Sequence, residues 1–282
     1  MSSKGGIEAA VNAMHDLFDQ EDTEGLLLVD ASNAFNSISR PALLWNCRVP
    51  WPRFAIFLFN FYLGSSVILL KSQRGGRVSV LYSQEGTTQG CPLSMLAYAV
   101  GILPLIRSLK DRNLHSQAWY ADDSSCGGLL SNIFTWFQRL QKECPDYGYF
   151  AELSKSIIIV KEKCFSSAKV LFEKLNVEVV LASRFLGGCV GSEEGVQDFV
   201  RDKVSFWIEA VKRLADAAVS YPQSAYSAFT KSLSMEWMYL QRVVSGCEEL
   251  YIPLRRTIQN HLTPSLFGRE VCRWSINCFP CP

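Results

Sequence analysis

The 282-residue chain has no charge surplus: 28 basic residues stand against 27 acidic ones, a net charge of +1. Proteins that hold nucleic acid over a broad surface carry a basic excess, because phosphate neutralisation supplies much of their affinity. Any nucleic-acid track here must therefore come from local clusters. A long apolar run is also missing. The most apolar stretch, residues 54–70, is interrupted by Asn60, Gly64, Ser65 and Ser66, and it falls short of the ~20 residues a spanning helix needs. A buried helix followed by a strand is expected there, and no membrane span. Residues 1–25 are polar or amphipathic throughout, so no secretion leader is expected. Internal repeats and low-complexity tracts are absent. Cysteine is not scarce: there are ten. Without a leader they suggest an intracellular, reducing compartment and free buried thiols. Cys278-x-x-Cys281, with Cys272 and His261 upstream, lacks a paired second half and has Pro280 inside it, which argues against a zinc site.

What is present is ordinary globular composition, 48% hydrophobic and 20% charged, which predicts a packed core. The length suggests about two structural units. Ile7, Val11, Met14, Leu17 and Phe18 share one helical face over residues 6–19. Leu26-Leu27-Leu28-Val29 is an unbroken apolar run, as expected of a strand buried on both faces, and it ends in Asp30. Residues 41–62 read as one or two helices broken at Pro50 and Pro52. Residues 67–70 and 78–82 read as a hairpin, and 92–109 as a long helix with a kink expected at Pro104. Residues 117–120 and 124–126 flank Ala121-Asp122-Asp123 as a second, tight hairpin. Leu130, Ile133, Phe134, Phe137 and Leu140 mark a helix, Ile157–Val160 a strand, and Phe185-Leu186-Gly187-Gly188 a short turn. After about residue 195 the apolar spacing is helical only. The order predicts an α+β domain, a small sheet with packed helices, followed by a helical region.

Three aspartates carry the chemistry. Asp30 ends one strand, and Asp122-Asp123 sit in the turn between two others. Two-metal phosphoryl transfer needs carboxylates from different strands converging on cations about 3.5–4 Å apart. Mg²⁺ keeps water and substrate phosphate in its shell, so two or three carboxylates suffice. Taken singly, a strand-end aspartate or an acidic turn is a common solvated feature.

The combination is less common. Tyr120-Ala121-Asp122-Asp123 resembles the Tyr-x-Asp-Asp box of reverse transcriptases. Asp30-Ala-Ser-Asn-Ala-Phe35-Asn36 resembles their first catalytic motif, and Thr88-Gln89-Gly90-Cys91-Pro92-Leu93 their Gln-Gly box. Lys155 resembles the lysine of the fourth motif, and Phe185-Leu186-Gly187 the turn that grips the primer. The five boxes follow the family's order over roughly residues 25–190. The resemblance implies a polymerase palm, with a small antiparallel sheet and packed helices, over residues 1–194, a thumb-like helical region over 195–268 and a tail over 269–282. It implies an RNA-directed DNA polymerase of a non-viral, non-LTR-like retroelement, acting on an RNA template, a DNA primer and deoxynucleoside triphosphates. Asp30, Asp122 and Asp123 would be catalytic and would hold two Mg²⁺ ions, or Mn²⁺, with the Ala31 carbonyl assisting. Phe35 would be a steric gate against the ribose 2′-hydroxyl. Gln89, Gly90 and Lys155 would line the nucleotide site, and Phe185, Leu186 and Gly187 the primer grip.

The sequence departs from the family in its first 29 residues, which read as one helix and one strand. They are too short to hold fingers with their triphosphate-binding basic residues. Feeble activity is therefore expected of this chain, and a catalytically silent remnant that binds nucleic acid or protein is the alternative. An RNA-templated RNA polymerase fits less well, given Phe35 and Tyr120-Ala121. Local basic clusters occur at Lys71, Arg74 and Arg77, at Arg107, Lys110 and Arg112, along Lys155, Lys161, Lys163, Lys169 and Lys174, and at Arg201, Lys203, Lys212 and Arg213.

Overall fold

The computed structural model describes residues 5–71, 76, 78–88, 90–111 and 115–268. Arg74, Arg77, Gln89, Arg112 and the cysteine-bearing tail lie outside the described residues. The described chain falls into two compact units, one drawn from Met1–Gly6 and Met14–Val180, the other from Ile7–Ala13 and Leu181–Pro282. The division follows Val180, ahead of residue 195, after which the apolar spacing is helical only.

In chain order the first unit contains part of helix α1 (Gly6–Asp19), strand β1 (Gly25–Val29), short helix α2 (Ala34–Ser37), helices α3 (Arg40–Cys47) and α4 (Pro52–Phe61), hairpin β2 (Ser66–Lys71) and β3 (Val78–Ser83), helix α5 (Ser94–Ser108), hairpin β4 (His115–Tyr120) and β5 (Asp123–Gly128), helix α6 (Leu130–Glu143), strand β6 (Ile157–Val160), helix α7 (Phe165–Phe172) and strand β7 (Glu178–Val180). Five of these strands form one sheet in the order β4-β5-β1-β6-β7. The apolar run of β1 takes the centre, antiparallel to β5 on one side and β6 on the other. The small sheet was expected to be antiparallel; its last pair, β6–β7, is parallel.

Helix α6 shows why the core closes. Leu130, Ile133, Trp136, Phe137 and Leu140 recur at helical spacing and are all buried, so one stripe faces inward. Its first turn is satisfied from a distance: the Leu130 N–H donates to Glu24 Oε2 at 2.9 Å, where helix ends leave N–H groups without intrahelical partners. These side chains join Leu27, Val29, Ile158 and Val160 of the sheet, Tyr98, Ile102 and Leu105 of α5, and Ala168 and Phe172 of α7 in one buried cluster. A smaller cluster of Leu43, Cys47, Phe54, Ala55, Leu58, Tyr62 and Ala97 links α3, α4 and α5. Helix α3 begins on Ser39, whose hydroxyl accepts from the Ala42 N–H, with Pro41 in the first turn, as expected of a helix start. Helix α5 runs through Pro104 to Ser108.

The second unit opens with a small hairpin, β8 (Ala182–Phe185) and β9 (Gly188–Gly191), paired only with itself. Helices α8 (Glu193–Ser220), α9 (Pro222–Ala228), α10 (Ser234–Val243), α11 (Ile252–Thr257) and α12 (Thr263–Phe267) follow, with a π-helical turn between α9 and α10 and another between α11 and α12. Ser192 caps α8 through the Gly195 N–H, and Glu193 and Glu194 lie in its first turn, where the helix dipole favours negative charge. Val196, Val200, Val204, Trp207, Val211, Ala215 and Ala218 form its buried stripe. Trp207 donates to Glu236 Oε2 at 2.8 Å and meets the Trp237 ring edge-on at 5.9 Å.

Candidate active site

The centre of the five-stranded sheet delivers the first carboxylate. Strand β1 ends at Val29, paired with Ser124 of β5. One step further along the same antiparallel register, Asp30 comes opposite Asp123. Ala31 pairs with Ala151 in an isolated bridge. The flanking bonds are Glu152 N–H to the Asp30 carbonyl and Ser32 N–H to the Phe150 carbonyl, both 2.8 Å. In such a pairing the opposed residues' own peptide groups face away from each other, so the bridge leaves the Ala31 carbonyl free to serve the other side.

The second pair of carboxylates comes from the β4–β5 turn. Tyr120 pairs with Asp123, which leaves Ala121 and Asp122 to make the reversal. Ala121 has φ 54, a left-handed conformation that costs a non-glycine residue about 1–2 kcal/mol and that tends to collect at functional turns. The turn is anchored from beneath. The Tyr149 hydroxyl donates to the Asp122 carbonyl at 3.1 Å and shares a 2.9 Å bond with Ser124 Oγ. Trp119 packs on the Tyr149 ring at 5.6 Å and, with Trp136, donates to Gln117 Oε1.

The result is a negative cluster with little neutralisation. The Asp123 carboxyl is pushed up to about 6, first by burial and then by the charges of Asp122 and Asp30. Like charges at close range and partial desolvation both disfavour ionisation. Lys155, in a short 3-10 turn (Leu153–Lys155), answers only Asp30, with Nζ 3.4 Å from Oδ2. Its side chain is 68% exposed, so this contact is weak. Among the described residues no three His, Cys, Asp or Glu side chains are converged as a ready metal cage. The donor set nevertheless suits a hard divalent cation: oxygen donors only, from two strands, carrying repulsion that a cation would relieve.

Other expected residues are distributed as follows. Phe35 on α2 is half-buried against the main core, its ring 4.7 Å from that of Tyr98. Gly90 has φ +82 with open space where a Cβ would stand. Gln89, expected to line the nucleotide site, lies outside the described residues. In the second unit Phe185 is buried, and Leu186 and Gly187 form the two-residue turn of the β8–β9 hairpin with φ 46 and 86. Two positive φ values suit the hairpin twist, and the leucine is held there by Tyr239, whose hydroxyl donates to the Leu186 carbonyl at 2.6 Å.

Sequence reasoning missed Tyr98 and Tyr149. Tyr98 is 1% exposed, and its hydroxyl has no hydrogen-bond partner among the described residues. Burial, Tyr149 and the nearby Asp122 and Asp123 all hold its proton on. The only signal in the sequence is a polar-tipped aromatic on the apolar face of α5.

No family model matches the sequence, and no curated protein matches it. Solved structures do. Apo telomerase from Candida tropicalis superposes with a TM-score of 0.52 at 11% identity, covering 98% of this chain and 56% of that one. Apo telomerase from Candida tropicalis truncated from its C-terminal domain gives 0.51 at 12%, covering 68% of this chain and 39% of that one. The chain thus spans about half, or less, of the solved chains it matches. At these identities the likeness is one of fold: a reverse-transcriptase-like palm followed by helices. No helix among the described residues is long and apolar enough to cross a membrane.

Proposed function

We propose that this chain is the palm and adjoining helical part of an RNA-directed DNA polymerase of a non-LTR-like retroelement. One observation carries the reading. Asp30 and Asp123 fall opposite each other beyond the last pair of a palm-like sheet, with Asp122 beside them, and burial followed by the charges of Asp122 and Asp30 raises the Asp123 carboxyl. Asp30, Asp122, Asp123 and the Ala31 carbonyl would hold two Mg²⁺ ions, with Mn²⁺ an acceptable substitute. Bound there, the ions would activate a primer 3′-hydroxyl and stabilise charge on the reacting phosphate. The chain's own groups do the rest. Tyr149 fixes the turn that carries Asp122, Phe35 would close the sugar side of a nucleotide site, and Lys155 would meet a triphosphate. Phe185, Leu186 and Gly187 would steady a primer on an RNA template, and deoxynucleoside triphosphates would be the substrates.

A catalytically silent palm is the second reading. It is favoured by the absence of a converged trio of metal-ligating side chains among the described residues. One titration separates the two. Free Mn²⁺, followed by its electron paramagnetic resonance signal, should fall as the chain is added, and it should do so far less with Asp30→Asn or Asp122→Asn. Primer extension on an RNA template, even if slow, should vanish in Asp122→Asn. Equal Mn²⁺ uptake by all three proteins would sink the polymerase reading.

A further inference from the structure

Arg40 is 5% exposed, and no carboxylate is ion-paired with its guanidinium among the described residues. Burying a charge without a counter-charge is costly unless every donor is used. Here each of the three guanidinium nitrogens donates to one short segment: Nε to the Gly86 carbonyl at 2.9 Å, Nη1 to the Ser83 carbonyl at 2.8 Å and Nη2 to Ser83 Oγ at 3.0 Å. The Tyr62 ring covers the guanidinium at 4.8 Å, and Glu85 accepts from the Arg40 backbone N–H at 2.9 Å.

The same segment is tied to the helix that carries Phe35. The Gly86 N–H donates to the Ile38 carbonyl at 2.9 Å, and the Thr87 N–H to the Phe35 carbonyl at 2.6 Å. Thr87 Oγ1 donates to that carbonyl too, at 3.3 Å. Gly86 has φ +77 and lies so close to Asn36 that an added Cβ would stand 2.3 Å from its carbonyl oxygen, so only glycine fits. Thr88 is caught on both sides, its N–H by the Tyr62 hydroxyl at 3.4 Å and its carbonyl by the Ser94 hydroxyl. Residues 83–88 are therefore a strap. One end is gripped by Arg40, the middle is seated on α2, and the other end leads into Gln89 and Gly90.

We infer that Arg40 is a positioning residue for sugar discrimination. It holds the strap, and through it α2, so that Phe35 keeps one fixed position, which admits a deoxyribose and excludes a 2′-hydroxyl. The inference rests on the nucleotide-site reading above. Nothing in it requires Arg40 to touch substrate.

The test compares equilibrium binding of dATP and ATP, with Mg²⁺, to the full chain. The two probes differ only in the 2′-hydroxyl. The wild type should prefer dATP by roughly 10–100-fold, the range a pocket that must reject an added hydroxyl can reach. Arg40→Met should cut that ratio by about tenfold, since small displacements of positioning groups have large effects, and amides 86–88 should exchange faster. Val177→Ala, a core truncation away from the strap, should keep the ratio. Arg40→Lys restores charge without the fork and should fall between the two; it decides the matter if Arg40→Met does not fold. An unchanged ratio in the arginine variants overturns the strap alone. If the wild type binds neither nucleotide, the nucleotide-site reading falls, and the discrimination inferred from it falls too.

Discussion

Strand β1 and the hairpin β2–β3 are built from the same kind of residues and meet opposite fates. Leu27 and Val29 of β1 are buried with the α6 stripe, and Leu26, on the opposite face of the strand, is buried too. In the hairpin Val67, Leu69, Val80 and Tyr82 share one face, and Ile68, Leu70 and Leu81 the other. All seven are exposed. Outer faces of α4 add Ile56, Phe57, Phe59 and Phe61 to the exposed apolar surface. A lone two-stranded ribbon is marginal in water, and exposed apolar surface of this extent is unusual on a soluble monomer. Apolarity predicts the strand in both cases. Whether the strand contributes to stability depends on what lies over it, and that information sits elsewhere in the chain.

The sharpest way to test the contrast is to remove a side chain from the buried side. Trp136 is fully buried and hydrogen-bonded to Gln117, so Trp136→Ala should cost about 3–5 kcal/mol in urea unfolding. A loss near zero would mean that the palm core is not the stable part.

A smaller effect separates packing from charge within the palm. Burial and the other two aspartates raise Asp123 from its ordinary range to about 6, so the folded state holds a proton that the unfolded state has released. Stability should therefore fall as pH rises from about 4 to 6 and stay lower above that window. Asp123→Asn should gain about 1–2 kcal/mol at pH 7, a figure reduced for solvent screening of a partly exposed group, and nothing near pH 4. The measurement is urea unfolding with a metal chelator present; a gain independent of pH would remove the electrostatic explanation.

The hairpin should respond least. Replacing Leu69 and Val80 by Thr should change unfolding free energy by no more than about 0.5 kcal/mol while raising the concentration at which the chain stays monodisperse in light scattering. A loss as large as that of Trp136→Ala would show the ribbon to be covered, and the contrast would collapse.

Much of this architecture was legible because it is local. The apolar run ending in Asp30, the two hairpins, the stripe of α6 and the helical spacing after residue 195 each announce themselves within a dozen residues. Strand β7 was not legible: Glu178-Val179-Val180 is too short to show a period, and its parallel pairing with β6 depends on the intervening helix. The strands flanking the Leu186-Gly187 turn have only four residues each, so only the turn itself was readable. In the site, the three aspartates and Phe35 stood out through the resemblance of their motifs to the reverse-transcriptase boxes. Tyr98 and Tyr149 did not, since a tyrosine near a carboxylate is defined by contacts across the fold. Nothing near Arg40 in sequence distinguishes it from a surface arginine; the residues that make it a clamp lie more than forty positions away.

The cysteines turn this fold into its own stopwatch. Cys47, Cys126, Cys144 and Cys164 are buried in the first unit, Cys189 and Cys247 in the second, and all are free thiols. Burial pushes the Cys144 and Cys189 thiols up to about 11 and raises Cys126 as well. An alkylating reagent needs the exposed thiolate, so each cysteine must wait for its surroundings to open. Half-exposed Cys91 supplies the fast reference on the same molecule. Labelling rates read peptide by peptide would then time the breathing of each unit separately, with no probe added to the protein.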